Sequence, residues 1–173
     1  NKGAGTAAFI SGVFSNSQTL YANESIPIVM SQMLVWTSKS PYKGGDSSGM
    51  LRSFQRNRNS FNGDLGHLVS LNNFGGIAAG FNGFCAANRD DSQCFSGLQS
   101  TYSNVPTYSW SVMVFTHEMG HLMGSRHTHA CVWNGNNTQI DGCSTPEGTC
   151  PQVGYPAGGG TIMSYCHLSG RPG

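Results

Sequence analysis

The chain has 173 residues, enough for one domain with a hydrophobic core, and only 10% of them are charged, with a formal net charge of +1. This near-neutral balance gives no electrostatic reason to expect nucleic acid or an anionic membrane as a partner. No apolar run reaches the roughly 18 residues that a membrane-spanning helix requires, so no membrane span is predicted.

The first predicted element is a helix over residues 6–22, where apolar side chains recur at three- and four-residue spacing after Thr6, which can cap a helix. Residues 26–36 are rich in Ile, Val and Met and are apolar on both alternating faces. This pattern predicts a strand that is buried on two sides. Together the two elements indicate a helix packed on a sheet.

A second helix is predicted after Ser47 or Ser48, either of which can cap it. Residues 67–71 have the composition of a short strand. His67 within that strand lacks the spacing of a metal motif, and we interpret it as structural. Residues 75–80 are small and glycine-rich, which allows another backbone to approach closely.

The most specific pattern lies in the helix predicted from Trp110 to Met123. His117 and His121 are four residues apart, so their imidazoles lie on one helix face and can bind one metal ion. A third ligand at His127 requires the helix to end and the chain to turn back. Gly124 can provide that end, because glycine adopts the left-handed backbone conformation without steric cost.

Glu118 follows the first histidine of this pattern and would face the open fourth position of a zinc ion held by three imidazoles. Zinc lowers the pKa of a water molecule to about 7. Glu118 would accept the water proton and return it to the leaving amine, which predicts amide hydrolysis without a covalent intermediate. His129 is an alternative third ligand, but the spacing of the motif favours His127.

The six cysteines favour disulfide bonds and an oxidising compartment, because none has the C-x-x-C spacing of a thiolate zinc site. Short separations favour the pairs Cys85–Cys94 and Cys143–Cys150, which leaves Cys131–Cys166. The chain opens with Asn1 rather than an apolar signal sequence. We therefore expect a secreted, processed protein from which a signal peptide and a pro-segment have been removed.

The eleven-residue pattern H-E-x-x-H-x-x-G-x-x-H and the segment 158–165, with Met163 near its centre, resemble the metzincin clan of zinc endopeptidases. The clan signature is this long zinc motif followed by a Met-turn. The cysteines around the turn look most like those of a microbial adamalysin (reprolysin) relative. Thr128 departs from the Asp, Glu, Ser or Pro that marks the adamalysin, astacin, matrix metalloproteinase and serralysin branches, so the branch stays open.

The resemblance implies an α/β (α+β) fold of the metzincin or zincin type. It has a twisted, mostly parallel sheet with helices above an active-site cleft and an irregular, disulfide-tied lower subdomain. The boundary is expected at residue 124, so that residues 1–124 and 125–173 together form a single catalytic domain. Residues 77–79 would pair with an extended protein or peptide substrate at the sheet edge.

The resemblance also implies one catalytic Zn²⁺ ion bound by His117, His121 and His127, with Glu118 as the catalytic residue. Calcium is possible in such enzymes, but the eight acidic residues show no calcium-ligand spacing. We expect a monomer. Tyr165 either stabilises the developing oxyanion, as in astacins and serralysins, or packs in the wall of the specificity pocket. The rival functions are a catalytically silent zincin-fold binding or adhesion module and a zinc hydrolase of non-protein amides or esters.

Overall fold

The computed structural model describes residues 2–84 and 86–170, and the chain divides into two compact units, Asn1–Gly124 and Ser125–Gly173. The first unit combines helices with a mixed sheet and is α+β. The second unit is largely irregular and contains two disulfide bonds. None of the described helices is long and apolar enough to cross a membrane.

The first unit is built from helices and strands that alternate irregularly along the chain. They are α1 (Lys2–Asn23), α2 (Ser47–Asn57), β1 (Gly66–Leu71), β2 (Gly76–Ala78), β3 (Gln93–Leu98) and α3 (Trp110–Leu122), with a short 3-10 turn at Arg89–Ser92 before β3. The predicted strand at 67–71 and the predicted helix from Trp110 are confirmed. β3 was not predicted from the sequence.

The sheet has the strand order β1-β3-β2, so the strand that was not predicted occupies its centre. β1 runs parallel to β3, with Gly66 opposite Gln93, whereas β2 runs antiparallel to β3, with Gly76 opposite Ser96. The sheet is therefore mixed rather than mostly parallel. All side chains of β3 are buried, and β2 forms one edge of the sheet.

One hydrophobic cluster of the first unit lies between α2 and the sheet. Met50, Leu51 and Phe54 of α2 pack with Leu68 of β1 and Phe95 of β3. Each fully buried side chain of this size stabilises the fold by about 1.5–3 kcal/mol relative to its exposed state. This core fixes the central strand on which α3 packs.

The start of α2 differs from the prediction by one or two residues. Asp46, not Ser47 or Ser48, is the N-cap, and its Oδ1 accepts a hydrogen bond from Gly49 N at 2.6 Å. Both serines lie in the first turn of the helix. Asp and Ser are similarly good caps, so composition alone did not distinguish them.

The first helix, α1, begins before the predicted start, so Thr6 lies inside the helix rather than at its cap. The Tyr21 hydroxyl donates a hydrogen bond to Thr116 O at 2.7 Å, and the Ser17 hydroxyl lies 2.8 Å from Thr116 Oγ1. Burial raises the pKa of Tyr21, so the hydroxyl keeps the proton that it donates. These contacts attach α1 to α3 one residue before His117.

The predicted strand at residues 26–36 is not formed. Among the described residues, 27–36 make no backbone–backbone hydrogen bonds, and Val29 is 83% exposed. A cavity of about 1010 Å³ lies between this segment, α1 and β1. The apolar composition favours a strand, but a strand also needs a neighbouring backbone with which to form hydrogen bonds.

The disulfide bonds of the second unit join Cys131 to Cys150 and Cys143 to Cys166, with Cα–Cα distances of 5.6 Å and 4.8 Å. The predicted pairs Cys143–Cys150 and Cys131–Cys166 are therefore wrong. Pairing depends on the Cα distance in the folded chain, and sequence separation does not report that distance.

Cys94 of β3 is buried and forms no disulfide with any other described cysteine. Its predicted partner, Cys85, lies outside the described residues. The pair Cys85–Cys94 therefore stays a prediction.

Candidate metal centre

The helix that carries the predicted site, α3, is held at both of its ends. At the first residue, Trp110 Nε1 donates a hydrogen bond to Gly97 O at 2.8 Å. At the last residue, Leu122 O accepts a hydrogen bond from Gly83 N at 2.8 Å. Gly124 has a φ of +103°, a conformation that favours glycine, and the helix ends before it as predicted.

The two histidines of α3 are brought together as the helical spacing predicts. His117 and His121 are 4% and 6% exposed, and their ring centroids are 4.6 Å apart with the planes at 89°. The ring of Phe81 packs edge-on against His121 at a centroid distance of 5.4 Å. Both imidazoles are therefore buried, and Phe81 of the first unit packs against one of them.

Glu118 is also buried, and it packs against the edge strand β2. Removal from water raises the pKa of Glu118 to about 8. A Cβ atom on Gly76 would lie 2.7 Å from both Cγ and Cδ of Glu118. The absence of a side chain at residue 76 therefore creates the space that Glu118 occupies.

His127 lies in the second unit, where its ring is stacked on that of His129 with the centroids 4.8 Å apart. One carboxylate oxygen, Glu147 Oε1, lies 2.7 Å from His127 Nδ1 and 3.2 Å from His129 Nε2. Partial burial acts to raise the pKa of Glu147, but the contacts with the two histidines outweigh it and lower that pKa. Glu147 is therefore a carboxylate at neutral pH.

The backbone on either side of His127 is fixed within the second unit. His127 O accepts hydrogen bonds from Trp133 Nε1 at 2.8 Å and from Ala130 N at 3.0 Å. Thr128 N donates to Met163 O at 3.2 Å, which ties the third motif histidine to the predicted Met-turn.

The molecule thus presents two histidines and a glutamate on a buried helix and a further histidine that a carboxylate supports. Residues 1–171 match the reprolysin-type family described as metallo-peptidase family M12. The chain belongs to metallo-peptidase family M12. No curated protein was found to match it.

Membership of family M12 implies a zinc cofactor, and the donor set of this chain fits zinc. His117 and His121 of α3 could be two of its ligands, and His127 is the third ligand that the motif predicts. Neutral imidazoles are common zinc ligands, and three of them leave one coordination position open. The carboxylate at His127 Nδ1 is the support that metal-binding histidines usually have. The M12 match does not favour the alternative of a silent binding or adhesion module.

His67 behaves as a structural residue of this M12 chain, in agreement with its interpretation from the sequence. Its ring stacks on that of Phe115 at a centroid distance of 4.1 Å, and its Nε2 lies 2.9 Å from Ser96 Oγ. Burial lowers the pKa of His67 to about 3, so the imidazole is neutral in the folded protein.

Two residues near the site were missed by the sequence analysis. Gly76 belonged to a segment interpreted only as a substrate-binding edge, and Glu147 was not considered at all. No sequence signal links Glu147 to His127, because the two residues are far apart in the chain and share no motif. Glu147 and Asp141 are the two acidic residues that lie among Cys131, Cys143, Cys150 and Cys166 in the sequence. That position was the only clue that Glu147 lies near the site.

Proposed function

We propose that this chain is a secreted zinc endopeptidase in which Glu118 is the general base and acid. The proposal depends mainly on one observation: a buried helix of an M12 chain carries His117 and His121 with their rings edge-on 4.6 Å apart, and the buried Glu118 follows His117 directly. The motif predicts amide hydrolysis, and the family is one of metallo-peptidases. Both support this function. We further propose that the chain is of the microbial adamalysin type and acts as a monomer.

The zinc ligands in this proposal are His117 and His121 of the first unit and His127 of the second. When bound, zinc would polarise the substrate carbonyl and lower the pKa of a water molecule. Glu118 would accept the proton of that water and pass it to the leaving nitrogen. The hydrogen bond from His127 to Glu147 would keep the lone pair of His127 on Nε2.

The proposed substrate is a protein or peptide in an extended conformation. β2 is an edge strand, and edge strands can add an extended peptide through main-chain hydrogen bonds. Glu118 packs against Gly76 of the same strand. The carbonyl groups of a peptide bound along β2 would therefore lie near the Glu118 carboxylate, which transfers the proton. This arrangement favours a peptide substrate over small amides or esters.

The test is metal removal and replacement, followed by cleavage of casein. A chelator should abolish cleavage by the purified chain, and one equivalent of Zn²⁺ should restore it. His127→Ala should lose both the metal and the activity, whereas Glu24→Ala, which removes an exposed carboxylate of the first unit, should lose neither. Full cleavage by the metal-free chain would contradict the proposal.

A further inference from the structure

Two histidines of the second unit have the chemistry of a third zinc ligand, and their surroundings differ. The rings of His127 and His129 are nearly parallel, with an interplanar angle of 9°. The His127 side chain is 15% exposed, whereas the His129 side chain is only 2% exposed. Both rings contact the same atom, Glu147 Oε1.

These two contacts involve different ring nitrogens and therefore select different tautomers. A carboxylate only accepts hydrogen bonds, so His127 donates from Nδ1 and carries its lone pair on Nε2. His129 donates from Nε2 and carries its lone pair on Nδ1. His129 Nδ1 is buried and has no hydrogen-bond partner among the described residues, so a metal ion cannot reach it unless its surroundings move.

The position of Glu147 is set by covalent and backbone contacts of the second unit. Glu147 N donates to His129 O at 3.1 Å, and Glu147 O accepts from Cys131 N at 3.0 Å. Cys131 is bonded to Cys150. A Cβ on Gly148 would lie 2.9 Å from Cys131 Cβ, so the glycine allows the loop to lie against the disulfide. The carboxylate is therefore held on a tightly tied loop.

We propose that Glu147 is a positioning residue that selects His127 over His129 as the third zinc ligand. It accepts the Nδ1–H of His127 and so leaves the lone pair for the metal on Nε2. It also engages Nε2 of His129, the nitrogen that would otherwise compete. This proposal rests on the proposed function, because it takes zinc to be bound by the histidines of α3.

The test measures the zinc dissociation constant of the full chain by competition with a chromogenic chelator. Loss of a carboxylate behind a metal-binding histidine typically weakens metal binding by about 10- to 100-fold, and we expect that loss in Glu147→Ala. Glu147→Gln should recover most of the affinity, because its amide oxygen still accepts from Nδ1–H. Glu24→Ala is the matched control for loss of one carboxylate. Equal affinity of Glu147→Ala and the wild type would overturn the proposal.

The two candidate ligands are compared by separate substitutions. We expect His127→Ala to lose zinc more severely than Glu147→Ala, and His129→Ala to bind zinc nearly as well as the wild type. If His129→Ala loses zinc as completely as His127→Ala, the selection of His127 is overturned. Zinc binding that is unaffected by His117→Ala would instead show that the proposed function itself fails.

Nitrogen-15 NMR of the imidazole rings in the zinc-loaded wild type provides a readout that does not depend on any variant. We expect His127 to carry the metal on Nε2 and a proton on Nδ1. Metal on Nδ1 of His127 would overturn the proposal. Near-ultraviolet circular dichroism would show whether Glu147→Ala folds. If it does not, the NMR spectrum of the wild type and the zinc affinity of Glu147→Gln test the role of Glu147.

Discussion

Gly76 of β2 and Glu118 of α3 are packed so closely that a methyl group on Gly76 would lie 2.7 Å from both Cγ and Cδ of Glu118. Carbon atoms in normal contact are about 3.5–4.0 Å apart. The edge strand β2 and the helix α3 therefore fit together only because residue 76 has no side chain. The placement of the proposed general base is thus coupled to the strand along which we propose that substrate binds.

Gly76→Ala should displace the Glu118 carboxylate and leave the histidines of α3 unchanged. Displacement of a catalytic group by about 1 Å can lower the rate by about 100-fold, so we expect a loss of that order in kcat with full zinc content. The measurement is peptide cleavage together with zinc analysis. Gly80→Ala is the matched control, because a Cβ there would meet nothing within 4 Å. Similar kcat values for the two variants would show that Gly76 does not position Glu118.

The disulfide between Cys131 and Cys150 should stabilise the second unit by closing a loop between cysteines with a sequence separation of 19. We expect the double variant Cys131→Ser/Cys150→Ser to lose about 3 kcal/mol of unfolding free energy, measured by denaturant unfolding. A non-reducing digest analysed by mass spectrometry checks the pairing directly. A peptide that links Cys131 to Cys166 would contradict the observed connectivity.

His67 should make the stability of the protein depend on pH. Its pKa of about 3 in the folded state lies below the usual 6.5, so the unfolded chain binds one more proton between those pH values. The unfolding free energy should therefore fall as pH decreases through this window, by about 1.4 kcal/mol per unit from this residue.

His67→Gln should remove this contribution, because the side-chain amide can still contact Ser96 but does not titrate. The measurement is the unfolding free energy of metal-free wild type and variant between pH 7 and pH 4. The difference between the two curves isolates His67 from the other histidines. Parallel curves would mean that His67 does not resist protonation in the folded state.

Tyr165 contacts the rings of His127 and His129, with centroid distances of 4.6 Å and 4.8 Å. Because these are ring contacts, we expect Tyr165→Phe to keep a kcat close to the wild-type value. Tyr165→Ala should lower the unfolding free energy by about 2 kcal/mol, less than for a fully buried aromatic residue. A 100-fold loss of kcat in Tyr165→Phe would instead indicate that the hydroxyl stabilises the oxyanion.

The helix α3 could be predicted because the four-residue spacing of His117 and His121 brings two metal ligands together only on a helix. Histidines four residues apart lie together on a helix, and a glycine after the last turn marks its end, so α3 and Gly124 were found from local sequence alone. The short strand β1 was predicted for a similar reason, since its composition favours an extended backbone.

The features that were missed depend on contacts between residues far apart in the chain. β3 has no β-branched residue, and its role as the central strand follows from pairing on both sides. Residues 26–36 have a strand-like composition but no strand partner among the described residues. The disulfide pairs and the contact between His127 and Glu147 arise from the folding of the second unit. That unit contains little regular secondary structure, so no periodic sequence pattern predicts these contacts.

The most direct test of the central claim is casein cleavage by the wild type and by Glu118→Gln, with zinc content measured in both. Gln preserves the size of the side chain but cannot accept the proton from water. We predict that Glu118→Gln retains its zinc and loses cleavage. Cleavage at the wild-type rate by zinc-loaded Glu118→Gln would contradict the role of Glu118 as the general base.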